Sequence, residues 1–255
     1  MLNGLYVATS GLLAQENRVN SLSNNLANIN TTGYKKEKPV FTMYLPRDKR
    51  YPQNIIRESL YNKSINSVVR LDDIYTDFQT GTLKETTNPY DLALGNENAF
   101  FVVDTPFGLR FTRDGNFTLN NEGVLVNQDG YPVLSSDYIN NPEIVIPNDA
   151  NVTFTEQGEV LIDNLLQNRL YIVSFNNLHN LQKVGRNMYQ ATNILPEEAE
   201  NPELKQGFLE SSNVNPVGEM VKMIDSLRSF ERYQKAIDIL DGANDIASNR
   251  LGRIS

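Results

Sequence analysis

The chain has 255 residues, of which 40% are hydrophobic and 21% charged, an ordinary globular composition with room for one large or two small domains. A formal net charge of −8 gives nucleic-acid binding no electrostatic support, and the absence of cysteine removes disulfides, a thiolate nucleophile and cysteine-ligated zinc. There is no apolar run long enough to span a membrane and no basic-then-apolar N-terminus of a cleaved secretory signal, so the residues alone read as a cytoplasmic protein.

The chain opens on a heptad stripe. Leu5, Ala8, Leu12, Val19, Leu22, Leu26 and Ile29 recur in alternating steps of three and four, and only Gln15 interrupts them. This predicts a helix of ~27 residues, about 40 Å long, with one narrow apolar seam. Asn28 to Gly33 are poor helix formers closing on a glycine suited to a left-handed cap. A lone helix of this kind is marginal in water and needs a partner.

From Lys35 to Arg57 the chain reads as irregular and basic, with Lys35, Lys36, Lys38, Arg47, Lys49, Arg50 and Arg57 on a solvated run broken by Pro39, Pro46 and Pro52. Ser59 to Thr80 reads as an extended arm, with Val68, Val69, Leu71, Ile74, Tyr75 and Phe78 as buried positions. Gly81 to about Gln190 is β-rich. Strands are predicted at 81–86, 90–94, 100–103, 110–113, 116–119, 124–126, 131–134, 143–146, 152–155, 159–162, 170–175 and 188–191. Asp114-Gly115, Glu122-Gly123, Asp129-Gly130 and Gln157-Gly158 supply the turns. Such spacing implies an antiparallel meander closing into a barrel or sandwich. Pro196 to Lys205 reads as an exposed acidic linker.

The far end repeats the pattern of the beginning. Asn215 is a good N-cap and Pro216 a good first helical residue. Met220, Met223, Leu227, Phe230, Ile237 and Leu240 continue the three/four spacing, with Ala247 and Leu251 after a stammer. The expected fold is therefore α+β: a central antiparallel β domain, barrel- or sandwich-like, with N- and C-terminal helices paired as a coiled coil. The expected segments are an N-terminal helix (1–33), an arm (34–80), the β domain (81–205) and a C-terminal helical segment (206–255).

Catalytic readings find little. His179 is the single histidine, among asparagines in a loop, and cannot build a zinc site or a serine triad without partners that are absent. There is no phosphate loop or dinucleotide fingerprint, and Asp114, Asn116 and Glu122 lack calcium-loop spacing. The expectation is no enzyme, no metal and no cofactor. Two function classes stay open: a filament subunit, or a β-domain binding module or carbohydrate-acting protein with helical extensions.

Ser23-Asn24-Asn25-Leu26-Ala27-Asn28, followed by Asn30-Thr31-Thr32-Gly33-Tyr34-Lys35, resembles the N-terminal signature of bacterial flagellar rod and hook proteins. Gly207-Phe208-Leu209-Glu210-Ser211-Ser212-Asn213-Val214-Asn215 resembles that family's other end. Between them, Thr87-Asn88-Pro89-Tyr90-Asp91-Leu92-Ala93-Leu94, Phe100 to Val103, Phe111 to Phe117 and Gly130 to Leu134 look like its central motifs. Asn24, Asn25, Leu26, Asn28, Thr31, Gly33, Asn88, Pro89 and Asp91 carry the likeness. One departure is Asn96-Glu97-Asn98-Ala99, where family members often place a glycine before the paired aromatic.

The resemblance implies a structural subunit of the basal-body rod. It would self-assemble into an axial tube that transmits torque; the compact length and the altered 96–99 loop favour the proximal rod, with a distal rod or hook subunit as the alternative. The implied partners are other copies, other rod or hook subunits and the flagellar export apparatus. Export would occur without a cleaved signal, to the periplasm-spanning rod. Leu5, Leu12, Val19, Leu22, Leu26, Ile29, Met220, Met223, Leu227, Phe230, Ile237 and Leu240 are the expected packing residues.

Overall fold

A computed structural model describes residues 2–44, 68–147, 150–192 and 194–251. Arg47, Lys49, Arg50 and Arg57 of the expected basic run, with Pro46 and Pro52, lie outside the described residues. The chain forms two compact units.

The first unit holds the helices α1 (Leu2–Ala27) and α2 (Pro216–Leu251), with most of a two-stranded ribbon made of β1 (Lys36–Tyr44) and β2 (Val68–Asp77). The predicted start of α2 is observed. The Asn215 side chain accepts from the Gly218 amide at 3.0 Å, and Pro216 begins the helix where no amide is needed. α1 ends at Ala27, so Ile29 lies in the turn beyond the helix rather than on its stripe. β1 corrects the irregular reading of residues 36–44. Pro39 is tolerated because a two-stranded ribbon consists only of edge strands, whose outer N–H positions need no partner. In β2, Ile74 and Tyr75 are exposed rather than buried, whereas Phe78 just beyond it is buried.

The second unit is drawn from residues 28–36 and from the described residues between Thr76 and Val214. Its strands are β3 (Leu83–Glu85), β4 (Leu92–Leu94), β5 (Ala99–Thr105), β6 (Gly108–Thr112), β7 (Thr118–Leu119), β8 (Leu125–Val126), β9 (Val152–Phe154) and β10 (Glu159–Ile162). They continue with β11 (Leu165–Arg169), β12 (Ile172–Ser174), β13 (Leu181–Lys183), β14 (Met188–Ala191), β15 (Glu197–Glu198), β16 (Leu204–Gln206) and β17 (Phe208–Glu210). The main sheet has six strands in the order β13-β14-β6-β5-β12-β15, antiparallel throughout. A three-stranded sheet runs β11-β10-β9, and β16-β4, β17-β3 and β7-β8 are separate pairs.

β5 explains the apolar run Phe100 to Val103. Ala99, Phe101 and Val103 point into one core, with Phe117, Leu125 and Val133, while Phe100 and Val102 point into a second, with Phe78, Phe175 and Tyr189. A strand covered on both faces has no polar side to show. Around Phe100, the rings of Phe78, Phe175 and Tyr189 sit at 5.8, 5.6 and 6.0 Å in edge-on geometry.

The expected barrel does not form. The six-stranded sheet keeps two edges, β13 and β15, and β15 is a two-residue acidic strand, a form that blunts further pairing. The supposed acidic linker supplies that edge and the start of β16. Expected strands at 131–134 and 143–146 reduce to isolated bridges, because Pro132 and Pro142 withdraw ladder donors. The two-residue hairpin β10–β11 turns on Asp163-Asn164, both at positive φ, rather than on an Asp-Gly pair.

Candidate functional site: a helix seam and a buried ion cluster

In the helical unit, α1 and α2 pack antiparallel. A Cβ added at Gly4 would stand 3.8 Å from Leu240, and one at Gly11 only 2.5 Å from the Tyr233 ring. At the opposite end of the pair, Asn25 donates to the Glu219 carboxylate at 3.4 Å. The contact face of α1 is therefore made of small and polar residues. Gly11 and Asn25 are buried on it; Ala8, Ala14 and Leu22 of α1 are buried as well, and buried Ser10 and Ser21 turn to the β1–β2 ribbon. Glu219 and Ser226 are buried on α2, while Met223, Phe230, Tyr233, Ile237 and Leu240 are half-buried at the same heptad spacing.

The leucine stripe flanks this seam. Leu5, Leu12, Val19 and Leu26 are half-buried, and Met220 and Leu227 are 45% and 44% exposed. Tyr6, Leu13, Val217, Val221, Ile224, Ile239 and Ile246 are exposed as well. In the single chain the two helices thus leave a series of large apolar side chains exposed.

Asn25 shows what one signature residue does. It is buried, its Nδ2 donates to the Glu37 carbonyl at 2.8 Å, and its Oδ1 accepts from the Glu37 amide at 2.9 Å. The side chain substitutes for a neighbouring strand at the start of β1. Ser21 donates to the same carbonyl at 3.2 Å, and Ser10 accepts from the Val69 amide of β2 at 3.3 Å. Asn24 is exposed and Leu26 half-buried.

In the β unit, three charged side chains meet out of water. The Lys35 ammonium donates to Glu210 at 2.6 Å and to the Phe78 and Gln79 carbonyls at 3.1 and 2.8 Å. Arg113 donates to Glu210 through Nε at 2.9 Å and lies 2.8 Å from it through a second nitrogen. It also donates to the carbonyls of Leu94, Asn96 and Ala99 at 3.0, 2.6 and 2.7 Å. All three side chains are buried to within 1–2%. Burial holds the Lys35 pKa below its usual value; the Glu210 carboxylate opposes this, and neighbouring Arg113 adds to it.

This cluster corrects the reading of Lys35 as a solvated surface cation. Its signal in the sequence was indirect. Lys35, Arg113 and Glu210 each sit inside a different quoted motif, and nothing in a linear sequence pairs charges that are 97 and 175 positions apart.

Gly33 does have positive φ, at +65°, but its role differs from the expected helix cap, since α1 has ended six residues earlier. Its amide donates to the Glu210 carbonyl at 2.8 Å, and a Cβ would fall 2.5–2.7 Å from the Arg113–Asp114 backbone. Glycine is needed there for space as well as for φ.

Next to Gly33 is an open polar cleft of about 720 Å³ in the β unit, whose lining includes Thr32, Tyr34, Asp114, Lys183, Arg186 and Asn187. Thr32 donates to Asp114 at 2.5 Å, and Asn187 donates to the Thr32 carbonyl at 2.6 Å. Burial raises the Asp114 pKa, against the hydrogen bonds from Thr32 and the Asn116 amide. The Lys183 ammonium stands 4.1 Å over the Tyr34 ring. These groups are engaged with one another rather than aimed at a common point.

The remaining signature residues close turns. Asn28 accepts from the Thr31 amide and hydroxyl, each at 3.2 Å. Asn88 accepts from the Tyr90 amide at 3.1 Å and donates to buried Asp91 at 3.0 Å, and the Pro89 carbonyl accepts from Gln206 at 3.0 Å. His179 is exposed in a single helical turn. Among the described residues no group of three or more His, Asp or Glu could hold a metal ion, and no helix is long and apolar enough to cross a membrane.

A structural subunit is the class that this arrangement defines: well-closed β cores, a buried ion cluster paired within the chain, and helices with exposed apolar side chains. Comparison with known proteins gives the family. Residues 5–35 match the family "Flagella basal body rod protein", residues 96–162 "Flagellar hook protein FlgE/F/G D1 domain" and residues 205–250 "Flagellar basal body rod FlgEFG protein C-terminal". The chain is 34% identical to the flagellar basal-body rod protein FlgF of Caulobacter vibrioides, with 100% of both chains covered. It is also 34% identical, again over 100% of both, to the flagellar hook-basal body complex protein FlhO of Bacillus subtilis. To the flagellar basal-body rod protein FlgG of Buchnera aphidicola it is 32% identical, over 94% of this chain and 96% of the relative. The chain belongs to the flagellar basal-body rod protein family, whose members are structural proteins and not enzymes.

Proposed function

We propose that this protein is a rod subunit that assembles with further copies and with other rod- or hook-type subunits into an axial tube, transmitting torque through packed side chains. The observation that carries the reading is the uncovered apolar edge of α1 and α2, with Met220 and Leu227 nearly half exposed in the single chain. In the assembly, Leu5, Leu12, Val19, Leu22, Leu26, Met220, Met223, Leu227, Phe230, Ile237 and Leu240 pack between subunits or along the pair, and the helices act as a coiled coil. The proximal rod is the preferred position, on the compact length and the altered 96–99 loop. Delivery is through the flagellar export apparatus.

Leu227→Asp tests the reading. Because Leu227 faces outward in the single chain, the variant should keep the wild-type melting temperature and far-UV circular dichroism. A carboxylate in a subunit interface would be an unpaired buried charge, so incorporation into rods should fail. Normal incorporation of Leu227→Asp would refute the helix-mediated interface, and imaging of labelled protein in isolated basal bodies would decide proximal from distal.

A further inference from the structure

Glu210 ties together parts of the β unit that are distant in the chain. Its carboxylate receives Lys35, Arg113 and the Gly81 amide, and its carbonyl receives the Gly33 amide. The two short strands that lead to it, β16 and β17, pair with distant segments as well. β4 is buried at Leu92, Ala93 and Leu94, and its ladder partner is β16, Leu204–Gln206. β3 is paired with β17, which ends at Glu210. Gln206 donates to the Pro89 and Val152 carbonyls and accepts from the Phe154 amide, reaching into a third sheet. Asn213 accepts from the Lys36 amide and donates to the Asp77 and Gln79 carbonyls. Gly81 lets the tail lie flat against it, since a Cβ there would overlap the Ser211 carbonyl.

We propose that Lys35, Arg113 and Glu210 form a closing latch. The β unit becomes one cooperative body only when residues 204–214 join residues 33–36 at Arg113. A chain emerging N-terminus first stays unfolded through this unit until residue 210 arrives.

The physical grounds are two. Before Glu210 joins, the site holds two cations and their carbonyl acceptors with no carboxylate in contact, and burying uncompensated charge is strongly unfavourable. Before β16 joins, the fully buried strand β4 has backbone donors and acceptors without their ladder partner. Both deficits fall on the segment bearing Leu92, Leu94 and Arg113, which is also part of the main core. The intermediate lacking the tail is therefore penalised at its centre rather than at its rim. The latch is a property of the single chain and holds whether or not rods form.

Hydrogen exchange on the full-length protein tests it. In wild type under rising denaturant, the amides of Gly33, Leu92, Phe101, Thr112 and Ser211 should exchange through one opening with a common denaturant slope. In pulse-labelled refolding they should gain protection in one kinetic phase. Glu210→Gln should lower protection at all five positions by a common factor, on the order of 10²–10³-fold. Glu198→Gln, which removes an exposed pair with Arg169, should leave the pattern unchanged. Protection of Phe101 and Thr112 before Gly33 and Ser211 would overturn the latch. So would local opening of Gly33 and Ser211 that leaves the β5–β6 amides protected. If Glu210→Gln fails to fold, the wild-type exchange still decides between these outcomes.

Discussion

The two units of this protein bury themselves to different degrees. In the β unit, Leu92, Phe100, Phe101, Val102, Val103, Phe117 and Tyr189 are wholly inaccessible, and even three charged side chains are enclosed with their partners. Among the described residues of the helical unit, the most buried large apolar side chain is Leu22, at 6%, and the helices approach most closely where Gly4 and Gly11 face Leu240 and Tyr233. The β unit encloses deep cores, although Phe107, Ile139 and Leu195 stay exposed on its surface, whereas the helical unit encloses little and exposes large apolar side chains along both helices. Stability and assembly should therefore be separable by mutation, because they draw on different residues.

The largest effect is expected at Arg113. Arg113→Met removes two contacts with Glu210 and the donors to three carbonyls, so the β unit should lose about 3–5 kcal/mol, read as a lower denaturant midpoint. Retention of wild-type stability would mean that the cluster contributes specificity alone. Gly33→Val comes next. A β-branched residue at φ +65° with its Cβ against the Arg113 backbone should destabilise the same unit by ~2–4 kcal/mol, while Gly33→Ala should be milder but still unfavourable.

Gly11→Val addresses the other side of the comparison. It forces a side chain against the Tyr233 ring, so helix content should melt ~1–3 kcal/mol more easily, with the near-UV signal of the β unit unchanged. Equal loss of stability in both units would show that they do not melt independently. The smallest effect belongs to Asp114. Its folded pKa is raised, chiefly by burial, so the fold favours the protonated form. That contribution is present at low pH and is lost as pH rises from the unfolded value through the folded one. Asp114→Asn removes the titration, so its stability relative to wild type should improve from acid toward neutral pH. A difference independent of pH would contradict the burial assignment.

The sequence by itself determined what depends on local periodicity and local backbone chemistry. The two terminal helices, the Asn215 cap and Pro216 start, the apolar core strand at Phe100 to Val103 and the family signatures were all legible, because each is written within a few consecutive turns or residues. The tertiary structure alone decided where two distant segments meet. It set Gly4 and Gly11 of α1 against Leu240 and Tyr233 of α2, since closest approach selects for lack of volume on one side, which a hydrophobic stripe does not report. It turned residues 36–44 into a strand despite Pro39, because an edge position excuses the missing donor. It left the main sheet open where a meander had implied closure. And it gathered Lys35, which read as a solvated surface charge, with Arg113 and Glu210 into one buried cluster, because their mutual contact makes burial tolerable.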